Sequence, residues 1–166
     1  VRDRVVELVR VPARDLVPSD HNWRLHPESQ RAALRGVLKE IGFAGALLAR
    51  RDKDGKLRLI DGHLRADIAP DMSLPVLVLD LDESEADKLL LTYDPLSAMA
   101  QPDQDKLMAL LQTATFDDKA VTAMLESLAN SENVPLAPLY ETPDELAQHG
   151  ECICDTCGNH HKVKKS

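Results

Sequence analysis

Between residues 57 and 66 the chain reads LRLIDGHLRA, and a strand-type run gives way to a helix-type run across one glycine, Gly62. The run before it is half of a hairpin. Residues 45–60, GALLARRDKDGKLRLI, hold two apolar segments joined near Asp54–Gly55, a dipeptide suited to the positive-φ positions of a tight turn. A short helix is expected after Asp61. Beyond it LPVLVLDL, residues 74–81, is apolar almost without interruption, the pattern of a strand covered on both faces.

The flanks extend this frame. Val5, Val6, Leu8, Val9 and Val11 are β-branched or aliphatic and predict a strand over 5–11, ended by Pro12. DHNWRLHPESQ is polar and aperiodic, a loop, after which Pro27 suits a first helical position. Leu34, Val37, Leu38 and Ile41 repeat at helical spacing, so a helix is expected over 28–41, with Gly42 as its stop. Strands are expected over 46–51, 57–60 and 74–81. Asp82 with Glu85 forms a capping-box pattern that predicts a helix over 83–92. Two amphipathic segments follow, marked by Leu107, Met108, Leu110 and Leu111, then by Val121, Met124, Leu125 and Leu128; a helical hairpin against the main domain is expected. The fold class read from these elements is α+β. The organisation expected is a domain over 1–100, a helical extension over 101–130, a linker over 131–150 rich in Pro, Glu, Ala and Asn, and a Cys/His tail over 151–166.

Charge divides the chain. Residues 1–65 carry fourteen Lys/Arg against nine Asp/Glu, and residues 66–150 carry three against seventeen, within a net charge of −8. A basic front half suggests an anionic ligand at one face, and the acidic helical half could meet a protein partner or be plainly solvated. The overall sign argues against indiscriminate coating of DNA. With aromatic residues at 3%, a stacking platform for single-stranded bases is disfavoured. No apolar run reaches membrane-spanning length, so no membrane partner is expected. All three cysteines lie within CICDTCG, so none staples the core, which favours a cytoplasmic location.

The strand–turn–helix motif carries chemistry suited to phosphate. Gly62 lets a ligand approach the backbone, Arg65 can make bidentate charged hydrogen bonds, and His63 can donate a proton near neutral pH. The same residues also admit a plain reading: Asp61 could cap the helix, and Arg65 could be solvated or paired with Asp61 or Asp67.

The order of LVPSDHNWRLHP, the helix SQRAALRGVLKEIGF, the hairpin, LIDGHLRADIA, LPVLVLDL and ESEADKLLLTYDPL resembles the ParB/sulfiredoxin superfamily over roughly residues 5–100. More narrowly, it resembles ParB-like domains of phages and mobile elements found near DNA methyltransferases. The resemblance implies a mixed β-sheet with packed helices and a phosphate pocket. It places Gly62, His63 and Arg65 on the box that contacts nucleotide phosphates, and Asn22 and Arg24 on a loop facing the same pocket. Members bind DNA, bind and hydrolyse nucleotides, act as nucleases, or reduce sulfinic acids. Sulfiredoxins carry a catalytic cysteine directly after the glycine; His63 stands there, which argues against that chemistry. Partitioning ParB proteins carry a second arginine where Leu64 stands, and an EN-x-QR type segment where TYDPLSAMAQ stands.

Two readings therefore follow. The first is a DNA- or nucleotide-binding protein, an accessory of a mobile genetic element or DNA-modification system, with Mg²⁺ entering alongside a nucleotide. The second is a nuclease, nucleotidase or phosphotransfer enzyme using the same pocket, with His63 and Asp61 as candidate catalytic groups and Asp20 or Asp94 as further metal-binding acids. Binding ranks first because no complete acid–base or nucleophile set is evident. The tail adds a candidate zinc site. Cys154-x-x-Cys157-Gly is a spacing at which two thiolates hold one ion from a tight turn, with Cys152 and His160, or equally His161, completing a tetrahedral set. Free thiols on a basic tail, or a redox pair of Cys154 and Cys157, are the other readings.

Overall fold

The computed structural model describes residues 1–132 and, beyond them, the backbone of two short strands at 151–153 and 160–162. The chain divides into two units, Val1–Val134 and Pro135–Ser166. The expected linker over 131–150 falls almost wholly outside the described residues, as do Cys154 and Cys157.

In the first unit the elements run β1 (Val5–Pro12), a 3₁₀ turn (Ala13–Asp15), α1 (Glu28–Glu40), β2 (Leu47–Arg51), β3 (Leu57–Asp61), α2 (His63–Ile68), β4 (Ser73–Leu79), α3 (Glu83–Ala98), α4 (Gln104–Thr113) and α5 (Lys119–Ser131). The strands form one mixed sheet in the order β1-β4-β2-β3. β2 and β3 are the expected antiparallel hairpin, with Gly55 at φ 78° in its turn. β4 lies parallel to β2, with Leu47 opposite Val76, and antiparallel to β1, with Val9 opposite Val76.

Strand pleating sends successive side chains to opposite faces, so the near-continuous apolar run of β4 fills two cores at once. Leu74, Val76 and Val78 join Leu47, Ala49, Leu57 and Leu59 on one face, closed by Ala66 of α2 and by Ala13 and Leu16. Leu79, with Leu48 and Ile60, meets Ala86 and Leu90 of α3 on the other. The outer edge of β3 is covered by backbone: Val17 donates to Leu57 O at 2.8 Å and accepts from Leu59 N at 2.8 Å. α3 opens with the capping box expected at Asp82 and Glu85.

Two expectations change. α3 runs to Ala98, through Pro95, and not to Thr92. Proline's φ is helix-compatible, and the one lost bond leaves a carbonyl on Leu91, which is solvent-exposed and can be hydrated. The two last helices also dock unequally. α5 packs on α1, burying Val121 and Ala129, whereas α4 buries no residue and is tied to the end of α5 by Gln104 Nε2 donating to Glu132 O at 3.1 Å.

Candidate phosphate-binding site

Gly62 is the hinge of the site. It sits at φ 96°, ψ 18° as the N-cap of α2, a left-handed conformation that L side chains rarely adopt. A Cβ there would fall 2.2 Å from Leu47 Cδ2, and Leu47 is wholly buried. Only glycine therefore delivers the chain from β3 into α2 at this point. α2 has six residues, so its dipole is small, and anion attraction here rests on side chains.

Arg65 is held by its surroundings. Its Nη2 donates to Asp61 Oδ2 at 2.6 Å, its Nη1 donates to Ala46 O at 3.4 Å, and its guanidinium lies 6.0 Å from the centroid of the Phe43 ring. The Arg65 and Asp61 side chains keep about a quarter and a fifth of their surface exposed, so the pair is half-buried. Arg24 is placed likewise. It forms an ion pair with Asp94 of α3 at 2.9 Å and lies 5.0 Å from the centroid of Trp23, while its backbone N–H donates to Asn22 Oδ1 at 3.3 Å.

His63 has a different part from the proton donor suggested by its residue type. It is buried, and its Nε2 accepts the backbone N–H of Ser19 at 3.0 Å. Accepting that bond requires Nε2 to be unprotonated. Burial pushes the His63 pKa below the ordinary imidazole value, against the opposing pull of Asp61 and Asp67. The side chain thus moors the loop that carries Asn22 and Arg24 to the first turn of α2.

These residues surround one cleft of about 210 Å³, lined by Asn22, Arg24, His26, Gln30, Leu34, Asp61, Gly62, His63, Leu64, Arg65 and Asp94. Every candidate named from the motif and its loop, Asn22, Arg24, Asp61, Gly62, His63 and Arg65, is brought here. The cleft is concave, but it is electrostatically mixed and not simply basic, because each arginine already faces a carboxylate. His26 and Gln30, whose side chains meet at 3.0 Å across the start of α1, were not singled out in the sequence; their i, i+4 spacing around Pro27 was the available signal. Asp94 joins the cleft from α3. Asp20 does not: it pairs with Arg58 at 3.1 Å and lines a second cleft of about 270 Å³. Three cations of that cleft are occupied internally, Arg50 and Arg58 by Asp52 at 2.8 and 2.7 Å and His21 by Asp87 at 2.8 Å; Lys53 also lines it.

Among the described residues no cluster of His, Cys, Asp or Glu could hold a metal ion, and no helix is long and apolar enough to cross a membrane. No protein-family model and no curated protein matches the sequence. Solved structures do. The C-terminally truncated chromosome-partitioning protein ParB from Caulobacter crescentus, complexed with CTP-gamma-S, superposes with a TM-score of 0.57 at 18% identity, covering 87% of this chain and 84% of that one. The fold is ParB-like. A Pnob8-like ParB-N domain also aligns, at 19% identity and a TM-score of 0.44, over 94% of this chain and 56% of that one. A further structure of the Caulobacter crescentus protein, complexed to the centromeric parS site, gives 15% identity and a TM-score of 0.43 over 87% and 76% of the two chains. Within the ParB-like frame, the residue after Gly62 is a buried histidine and every cysteine lies at 152–157 in the other unit.

Proposed function

We propose that the cleft around Gly62 binds the phosphate groups of a nucleotide, with Arg65 and Arg24 as the charged donors. One observation carries this reading: residues 22–24, 61–65 and 94, distant in sequence, converge so that two pre-oriented guanidinium groups flank a backbone that only glycine can form. Phosphate is a ligand that matches such forks bidentately. It is also the chemistry of CTP-gamma-S, with which the Caulobacter crescentus ParB of the same fold was crystallised. Asp61 and Asp94 keep the arginines in place without ligand. An arriving phosphate takes over those cations, and the released carboxylates can meet a Mg²⁺ that accompanies the nucleotide. A cleft of about 210 Å³ is smaller than the ~300–1,000 Å³ of sites that enclose a whole small molecule, so it suits the phosphate groups more than the base.

Nothing favours a hydrolytic reading to the same degree. His63 Nε2 is engaged by Ser19, and Asp61 and Asp94 are ion-paired in the unliganded cleft, so neither of the catalytic candidates His63 and Asp61 stands there as a free general base. The setting we propose is that of a DNA- or nucleotide-binding accessory of a mobile element or DNA-modification system, as the sequence resemblance implies.

Thermal-shift measurements with nucleoside triphosphates, inorganic tripolyphosphate and short DNA duplexes, each with and without Mg²⁺, test the proposal. A ligand at a hundred times its Kd stabilises the folded state by about 2.7 kcal/mol, a shift of several degrees. A nucleotide-dependent shift is expected. A shift with duplex alone would move the site to the DNA reading, and no shift with any of them would remove the proposal. Phosphate release in the same mixtures separates binding from hydrolysis.

A further inference from the structure

The chain carries one Trp, two Tyr and two Phe. Two of these five rings lie against the two arginines of the phosphate cleft: Phe43 at 6.0 Å from the Arg65 guanidinium and Trp23 at 5.0 Å from that of Arg24. What else holds the rings differs. Phe43 packs against the core cluster that includes Leu47 and Val76. Trp23 belongs to neither core cluster and is 55% exposed, and Leu25 beside it is 94% exposed. The backbone under Trp23 is nevertheless pinned on both sides. Before it, the Asn22 N–H donates to Ser19 O at 3.2 Å, and the Ser19 N–H donates to His63 Nε2 at 3.0 Å. After it, the Arg24 N–H donates to Asn22 Oδ1 at 3.3 Å, and the Arg24 guanidinium pairs with Asp94 at 2.9 Å. An indole left open to water on a pre-ordered loop is a large planar surface that costs little further entropy to engage.

We propose that Trp23 is the base-stacking residue of this site: with the phosphates of a nucleoside triphosphate on Arg65 and Arg24, as the phosphate reading of the cleft requires, the base lies on the Trp23 ring. A cleft of about 210 Å³ takes the phosphate groups and leaves the base outside. Arg24 lines that cleft and lies over Trp23, which puts the ring at the rim where a base emerges. A low aromatic content disfavours a platform for a run of bases, but a single stacked base needs one ring. Stacking reads the planarity of a base and not its hydrogen-bonding edge, because every base has a π-face. The ligand class is therefore the nucleoside triphosphates, with the identity of the base unselected at this contact.

Trp23 is the chain's sole tryptophan, so indole emission from the full chain reports this residue alone. ATP and CTP should quench it saturably, with midpoints that match their calorimetric dissociation constants. Inorganic tripolyphosphate should bind without comparable quenching. Trp23→Ala should weaken binding of both nucleotides by about 5- to 150-fold and leave tripolyphosphate within about twofold of the parent. Trp23→Phe, which keeps a ring, should recover most of that loss. Unchanged melting temperatures, expected for a residue outside both cores, show that the variants are folded. Equal weakening of nucleotide and tripolyphosphate by Trp23→Ala would make Trp23 a prop for Arg24 and overturn the proposal. Nucleotide affinity indifferent to Trp23→Ala, with tripolyphosphate still bound, would overturn it and leave the phosphate reading standing. No binding of either ligand by the parent would remove the phosphate reading and the proposal with it. Quenching by a single-stranded oligonucleotide and by neither mononucleotide would assign the ring to nucleic acid and overturn the mononucleotide.

Discussion

Gly62→Ala should be among the most damaging single-methyl additions in the first unit. Two costs apply. Gly62 sits at φ 96°, where a non-glycine residue costs about 1–2 kcal/mol. The new methyl would also stand 2.2 Å from Leu47 Cδ2 and 3.2 Å from its Cγ, and Leu47 has no exposed surface through which to move. Forcing a carbon into a packed core costs about 1–3 kcal/mol more. The expected total is about 2–5 kcal/mol, a large share of a typical domain's stability of about 5–15 kcal/mol. Gly55→Ala is the control. Gly55 has the same sign of φ, 78°, but nothing lies within 4 Å of its missing Cβ, so it should lose the conformational part alone. Urea unfolding of both variants, at equal m-value, isolates the Leu47 contact as a difference of about 1–3 kcal/mol. Equal losses would show that the close approach of α2 to β2 at this point is wrong.

Three further outcomes are expected. His63 has a lowered folded-state pKa, so the unfolded chain binds its proton first; stability should fall as pH drops below the ordinary histidine range, and His63→Gln should flatten that slope. His21, raised by Asp87, acts with the opposite sign, losing its contribution as pH rises, but it is more than half exposed and contributes little; an unchanged slope in His63→Gln would refute the assignment. Glu85 is held down to about 2 by the fork of Arg4 and by the Asp82 N–H, so its contribution is present above the usual carboxylate range and is lost as pH falls from about 4.5 towards 2; Glu85→Gln should remove that acid-limb dependence in unfolding curves. Gly36→Ala, which in an exposed helix would stabilise by about 0.4–1 kcal/mol, should destabilise here, because its Cβ would meet Asp118 Cγ at 2.4 Å and Val121 Cγ2 at 2.6 Å; a higher melting temperature would refute the α1–α5 contact.

How much of this was legible in the sequence follows from the range of the forces involved. β1, β2, β3 and β4 begin or end within two residues of the positions their apolar patterns predict, because strand patterning is local. The end of α3 was not legible, since Pro95 reads as a stop and yet is tolerated where the orphaned carbonyl faces water. In the site, Gly62 and Arg65 were readable as a motif, because the turn geometry and the i, i+4 reach from Asp61 are local. Asp94, His26 and Gln30 reach the cleft only through the packing of α3 and α1, which no local pattern states. His63 was readable as a functional type but not as an acceptor, because its burial and its bond to Ser19, forty-four residues away, belong to the tertiary fold. In the tail, CDTCG names two candidate ligands by spacing, and Cys154 and Cys157 lie outside the described residues.

The measurement closest to the central claim is calorimetric titration of the full chain with CTP and with inorganic tripolyphosphate, repeated on Arg65→Ala and Asp61→Asn. Hydrogen bonds to charged groups contribute about 1.5–3 kcal/mol each, so Arg65→Ala should weaken binding by roughly 10- to 150-fold. Asp61→Asn removes the carboxylate that competes with phosphate for Arg65, so in the absence of Mg²⁺ it should tighten binding. Opposite shifts in the two variants are the predicted result. Equal affinity of Arg65→Ala and the parent, or no binding of either ligand by the parent, would contradict phosphate recognition in this cleft.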